Sequence, residues 1–465
     1  MPDFSIAGSL AQVSFFHLAY DYTAFCAVMQ PVYTKHMHIF FSGIGGAGIG
    51  PLAEVAHQAG YTVSGSDKQP SSYLDYLKNH GITNIHIGQT AEDIATVHAD
   101  KPIDWYVYSS AVAMENPDAP EFQFCREQAI HMSKRDELLN QILRDQNLKL
   151  LAVAGTHGKT TTTAMLVWLA KQVSLPISYL LPAKTNFGTM GHHEPSAEYL
   201  VYECDEFDRN FLAYEPYRSL ITGVSWDHHE IFPTREDYKS AFREFMSQTS
   251  HNYLWQDDAS YLDVSTDQTG VTVLDPAEVT GLSLKGLYNR LDAWLVIQMV
   301  HALTKAPVVE LVEHLNRFPG LQRRMEMLQP NLYSDYAHTP EKIRGAMSVA
   351  LEMAADSGQD LVVLYEPLTN RRQVYMQDAY GECFDGAKQV YWLPSYLARE
   401  NPDQAILTPE YLIARLANPT IAQSAEANND LRHVIQRHLD NGDMVVAMAG
   451  GGGGSLDDWL RAQFA

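Results

Sequence analysis

Short apolar runs recur along the chain, and most of them end in glycine or in acids. Residues 38–41, HIFF, read as a buried strand; GIGGAGIG follows at 43–50, and a helix start follows at Pro51. Residues 61–64, 105–109, 148–154, 200–202, 220–224, 332–335, 361–364, 389–392 and 444–448 repeat the strand-like character, with helix-like stretches such as 135–143 between them. Buried strands alternating with helices imply parallel sheets covered by helices. The pattern predicts an α/β protein with units at 37–147, 148–327 and 328–465. Residues 1–36 are read separately, as an extension ahead of Met37 or, alternatively, a docking segment. They contain no run of the ~18 apolar residues a membrane span needs, and no basic start of the kind a secretory signal has.

A chain of 465 residues suits about three domains. The formal net charge of -23, without a long basic stretch, argues against nucleic acid as a partner. It leaves anionic ligands open, because a loop of backbone N–H groups binds phosphate against the average field. Cys26, Cys125, Cys204 and Cys383 are scattered and form no C-x-x-C pair. Neither a zinc site nor a disulfide framework is indicated, and a reducing cytoplasm is the expected setting.

Two glycine loops stand out. In the first, Gly43, Gly45 and Gly48 fit G-x-G-x-x-G between a strand and a helix, and Asp67 follows the next strand. That is a pyrophosphate loop, which a dehydrogenase or another nucleotide-binding protein equally uses. The second runs through Gly155, Thr156, His157, Gly158, Lys159, Thr160 and Thr161. Val153 occupies the position of the first glycine of the full phosphate-loop pattern, so only its shorter form is present. The chemistry survives: backbone N–H groups cradle phosphate, Lys159 neutralises it, and the Thr160 hydroxyl suits Mg²⁺. Glu203, Asp205, Glu206 and Asp208 follow one strand, and Asp227 with His228 follows another. Acids and histidine at strand ends beside a phosphate loop are candidates for a metal ligand or a general base.

These residues, taken in order, resemble the Mur ligases, ATP-dependent amide-forming enzymes of bacterial cell-wall synthesis. GTHGKTTTT at 155–163 is similar to the ATP loop of the branch acting on UDP-N-acetylmuramic acid. ECDE at 203–206, Asp227-His228, GLYN at 286–289, FPG with RRME at 318–326, and DYAHTP at 335–340 resemble its further motifs. The resemblance spans about residues 37 to 465. It implies a Rossmann-like UDP-binding domain, a P-loop ATPase-like central domain and a Rossmann-like C-terminal domain, with ATP and Mg²⁺ required.

By the same resemblance, Lys159, Glu203, His228 and His338 are the expected catalytic residues, and Thr160, Glu203 and His228 hold magnesium. Asn289, Arg324 and Asp335 join the loop in contacting ATP. Gly43, Gly45, Gly46, Gly48, Asp67 and Ser109 bind the UDP portion, while Asn370 and Arg371 meet the incoming peptide. Strand-end capping competes with binding at Asp67 and Ser109, helix capping competes at His338, and a flexible turn competes at glycines 450–454. ECDEFDRNF at 203–211, DHHEIF at 227–232 and EPLTN at 366–370 look like the murein peptide ligase branch, which adds L-alanyl-γ-D-glutamyl-meso-diaminopimelate to UDP-N-acetylmuramate. GIGGAGIG leans toward the alanine-adding branch; on balance the tripeptide is the expected donor. A nucleotide sensor without catalysis is the alternative of another class. Tyr288 for the family histidine, Thr339 for the second histidine of H-H-P, and the short stretch 253–286 depart from the pattern.

Overall fold

The computed structural model describes residues 37–464 except 110–111, 114–115, 117, 229–230, 396, 398–403 and 451–453, and leaves the side chains of Ser72 and Arg371 undescribed. The expected extension at 1–36 lies outside the described residues. The first sheet holds β1 (His38–Ser42), β2 (Thr62–Asp67), β3 (Ile85–Ile87), β4 (Trp105–Tyr108) and β5 (His131–Lys134). All are parallel, in the order β3-β2-β1-β4-β5. The second holds β6 (Lys149–Ala154), β7 (Ile177–Leu180), β8 (Gly191–His192), β9 (Tyr199–Glu203), β10 (Arg218–Ile221), β11 (Asn252–Trp255) and β12 (Val271–Leu274). Its order is β12-β11-β10-β6-β9-β7-β8, and only β8 runs antiparallel to its neighbour. The third holds β13 (Glu326–Gln329), β14 (Leu332–Asp335), β15 (Leu361–Glu366), β16 (Gln389–Trp392), β17 (Ala422–Ser424) and β18 (Met444–Ala449). Its order is β13-β14-β18-β15-β16-β17, with β13 antiparallel.

Central strands are buried on both faces, which is why they read as continuous apolar runs. β6, LLAVA after Lys149, is buried throughout and packs under the helices Lys159–Gln172 and Leu287–Thr304. Each glycine loop therefore leaves the carboxyl end of a central strand, β1 or β6, where neighbouring strands continue in opposite directions. A crevice forms at such a point.

Two polar networks fix these strand ends. The buried Glu121 carboxylate accepts from Ser42 at 2.6 Å, from Tyr106 at 2.9 Å and from Ser66, tying β1, β4 and β2 together. Glu54, on the helix Gly50–Gln58 that follows the first loop, is 1% exposed. It accepts from Tyr76 at 2.9 Å, from Tyr73 at 3.2 Å and from the backbone N–H of Gly191 in β8 at 3.0 Å. One turn on, Gln58 accepts from the His193 N–H at 2.7 Å. Buried polar groups are retained when hydrogen-bonded, and here the bonds join the first unit to the edge of the second sheet.

Among the described residues, no helix is long and apolar enough to cross a membrane. Cys125, Cys204 and Cys383 are buried free thiols.

Candidate active site

The first loop is organised by its own strand ends. Gly43 and Ile44 N–H groups donate to Ser66 O at 2.8 and 3.0 Å, and Gly46 N–H donates to Gly43 O at 3.0 Å. Asp67 Oδ2 accepts from Gly45 N–H at 2.8 Å. A Cβ on Gly45 would fall 2.8 Å from that same oxygen, so a side chain there would displace the Asp67 carboxylate. The Ser109 hydroxyl accepts from Val112 N–H at 3.3 Å. Asp67 and Ser109 thus both hold backbone at strand ends, beside Gly43, Gly45, Gly46 and Gly48.

The second loop is pressed between β10 and the helix Leu287–Thr304. Gly155 and Gly158 have φ of +138° and +77°. A Cβ on Gly155 would lie 2.4 Å from Thr222 Oγ1, and one on Gly158 would lie 2.4 Å from Asp292 Oδ2. Thr156 N–H donates to Gly223 O at 2.8 Å, and the Thr156 hydroxyl accepts from Ser225 N–H at 2.9 Å. His157 keeps a buried Nδ1 without a partner, and burial lowers its pKa.

Lys159 heads the helix after the loop. Its ammonium donates to Gly155 O at 2.8 Å and to Glu206 Oε2 at 2.7 Å, with Asp205 Oδ1 at 3.7 Å. Burial works against this charge, but Glu206, Asp205 and Glu203 outweigh it and raise the Lys159 pKa. Glu206 is 1% exposed. Burial pushes its carboxyl up to about 7 even though Lys159 pulls the other way.

Asp205, Glu206 and His228 each offer a ligand atom within 4.8 Å of the others. His228 sits at φ +52°, with Nε2 3.7 Å from Glu206 Oε1 and its ring edge-on to Phe207. Glu203 is not in this group. It lies beside Thr160, with Oε2 buried and without a partner, and burial raises its pKa. The residues fit a hard divalent cation: the donor set is carboxylate and imidazole, and Glu203 presents an unsatisfied oxygen.

The third unit faces this loop. Arg323 and Arg324 guanidinium groups lie 4.7 and 5.2 Å from the Tyr336 ring centroid. The buried Asp335 carboxylate accepts from the N–H groups of Met325 and Ala337, both at 2.9 Å. His338 is buried and bonded through Nδ1 to Tyr336 O at 2.8 Å. Burial, then Lys342, lowers its pKa to about 3. Thr339, rather than His338, caps the helix Pro340–Ser357. A Cβ on Gly450 would strike the His338 ring at 2.4 Å, so that glycine makes room for histidine. Asn289 Nδ2 donates to Lys285 O at 2.8 Å. The buried Asn370 amide donates to Ala405 O at 3.1 Å and accepts from Leu407 N–H at 2.8 Å.

Two residues join the site that motif reading passed over. Arg135 opens the helix Arg135–Asp145, and its Nη1 lies 2.2 Å from where a Cβ on Gly48 would be. Tyr202 first, then Tyr214, Asp205 and Glu203 favour its charge, against burial. Among the described residues its guanidinium has no hydrogen bond or ion pair. It spans from the first glycine loop to the acids beside the second. Lys342 enters from the third unit, on the first turn of the helix Pro340–Ser357. Neither belongs to a recognisable pattern; a polar strand, β5, sets up Arg135, and a cap residue, Thr339, sets up Lys342.

Two phosphate-type loops, a carboxylate–histidine group and a facing arginine, set on three sheets, suit phosphoryl transfer from a nucleotide. Residues 38–147 match the model for the Mur ligase family, catalytic domain, and residues 153–275 match the Mur ligase middle domain, together half of the chain. The chain belongs to the Mur ligase family, whose members are ATP-dependent ligases. It is 28% identical to a UDP-N-acetylmuramate–L-alanine ligase of Agathobacter rectalis, over 90% of this chain and 96% of that protein. The fold is similar to the UDP-N-acetylmuramate-alanine ligase of Thermotoga maritima, with a TM-score of 0.70 and 23% identity, covering 90% of this chain and 96% of the other. It is also similar to a murein peptide ligase of Psychrobacter arcticus, with a TM-score of 0.61 and 21% identity over the same shares.

Proposed function

We propose that this chain joins L-alanine to the lactyl carboxylate of UDP-N-acetylmuramate, with ATP converted to ADP and phosphate. The observation that carries the ligase chemistry is the convergence of Lys159, Glu203, Asp205, Glu206 and His228 at the second loop, one arginine away from the first. The choice of alanine follows full-length relatives that carry this name. The tripeptide remains the second reading, favoured by ECDEFDRNF, DHHEIF and EPLTN. Against it, Asn370 uses both ends of its amide within the third unit.

A carboxylate is a poor acyl donor because oxide is a poor leaving group; phosphorylation replaces that leaving group with phosphate. The acceptor's diphosphate seats on the loop at 43–50, with Arg135 alongside. The ATP phosphates seat on residues 155–161. Lys159 offsets the repulsion between the lactyl carboxylate and the γ-phosphate. Asp205, Glu206 and His228, with Thr160 and Glu203 alongside, would hold Mg²⁺, which would supply further charge neutralisation. Arg324 faces the phosphates from the third unit, and Asp335 organises the backbone beside it. His338, neutral and buried, packs under the reaction centre. Asn289 stands at the start of the helix Leu287–Thr304, near the expected adenosine.

The test is ADP release with UDP-N-acetylmuramate and ATP, adding L-alanine or the tripeptide. Alanine-dependent turnover supports the proposal, tripeptide-dependent turnover replaces it with the second reading, and turnover with neither removes the acceptor assignment.

A further inference from the structure

Cations collect in the cleft between the second glycine loop and the third sheet. Lys159 reaches it from the loop, Arg324 from the segment before β13, Lys342 from the first turn of Pro340–Ser357, and Arg372 from the helix Asn370–Met376. The Lys342 side chain is open to solvent, yet protein stands around it, as befits a residue projecting into a cleft. Its ammonium lies 6.0 Å from the centroid of the Tyr336 ring, which Arg323 and Arg324 also flank. Among the described residues that ammonium has no hydrogen bond or ion pair. Asp227 is the carboxylate that favours its charge, while Arg324, Lys159 and Arg372 oppose it; with enclosure as the largest cause, its pKa falls to about 8. Lys159, by contrast, is matched by Glu206 at 2.7 Å. Lys342 thus has no carboxylate at ion-pair distance among the described residues, and like charges held near one another favour an anion between them.

We propose that Lys342 is a phosphate-binding residue supplied by the third unit, contacting the γ-phosphoryl group of ATP together with Lys159. This rests on the ligase reading above. In that reaction a lactyl oxygen attacks the γ-phosphorus, and the bond to the β–γ bridging oxygen breaks with its electron pair leaving on ADP. The amine then attacks the acyl carbon, the C–O bond breaks with its pair leaving on phosphate, and the amine proton passes to solvent. The phosphoryl oxygens stay anionic through both steps, so a second lysine stabilises the group throughout. Thr339 caps the helix by accepting from the Lys342 N–H, which fixes Lys342 on the first turn.

The experiment measures binding of an ATP analogue with nitrogen bridging the β- and γ-phosphates, and of ADP, both with Mg²⁺, to wild type, K342M and K342R. K342M is expected to lose about tenfold in affinity for the analogue, about 1.4 kcal/mol, and to bind ADP within about twofold of wild type. K342R is expected to regain most of the loss. Equal weakening of both nucleotides, or no weakening of either, overturns the proposal. Melting curves establish that K342M is folded. Turnover with UDP-N-acetylmuramate is measured alongside. Failure of the wild type to turn over defeats the acceptor reading, while the analogue-to-ADP ratio still decides the role of Lys342.

Discussion

Lys159 Nζ donates to Glu206 Oε2 at 2.7 Å, and each is the other's shortest ion pair. The phosphate-loop cation is therefore aimed by a carboxylate that is itself buried. Removing either partner alone has different consequences. K159M leaves Glu206, whose carboxyl burial already pushes up to about 7, to take up a proton, so the loss of stability is held to about 1–2 kcal/mol, while kcat falls at least ~100-fold. Adding E206Q to K159M should restore most of the stability and none of the activity. Urea melts and single-turnover ADP formation separate the two effects; recovery of turnover in the double variant would refute the assignment of Lys159.

Gly158 has no room for a side chain. With φ at +77° and Asp292 Oδ2 2.4 Å from a Cβ, G158A strains the backbone and displaces Asp292 together. We expect a loss of about 1–3 kcal/mol in stability, and a larger proportional loss in ATP affinity than in UDP-sugar affinity. Calorimetric titration with each nucleotide tests this.

Arg135 touches the first loop at Gly48 and faces the acids of the second. R135Q is predicted to raise KM for UDP-N-acetylmuramate by about tenfold or more, in the range of a lost charged hydrogen bond, with ATP binding changed less than the acceptor. Uridine, which has no phosphate, should bind R135Q and wild type alike. A uniform loss for uridine and the UDP-sugar would show that Arg135 only supports the fold.

Asp258 carries a stability prediction. Its carboxylate accepts from Val224 N–H at 2.8 Å, but burial pushes its pKa up to about 6 from 3.8. The folded value is above the unfolded one, so the folded state binds more protons across this window. Stability from this group is fully present below about pH 4, falls through pH 6, and stays low above it. D258N keeps an acceptor for Val224 and removes the ionisation. It should match wild type near pH 4 and exceed it at pH 8 by up to about 2 kcal/mol. Denaturant melts at the two pH values check the crossover.

Central strands were legible because burial on both faces gives unbroken apolar runs: β1, β6, β14 and β18 stand within a residue or two of expectation. Edge strands such as β3, β8 and β17 are short and half-exposed, so their sequences lack that signal. The glycine loops were legible because left-handed φ and close approach demand glycine at 155 and 158. The motifs located Asp335, His338 and Asn370, but motif position could not reveal that their polar atoms are engaged with nearby backbone. Arg135 and Lys342 were not legible, because each enters the site through the packing of separate units.

The helix Gly50–Gln58 begins at one phosphate loop and, through Glu54 and Gln58, grips the edge strand of the sheet that carries the other. It is a strut shared by the two glycine loops. Whatever free energy the strut transmits is the same in both directions, so an acceptor that tightens ATP binding is tightened by ATP in equal measure.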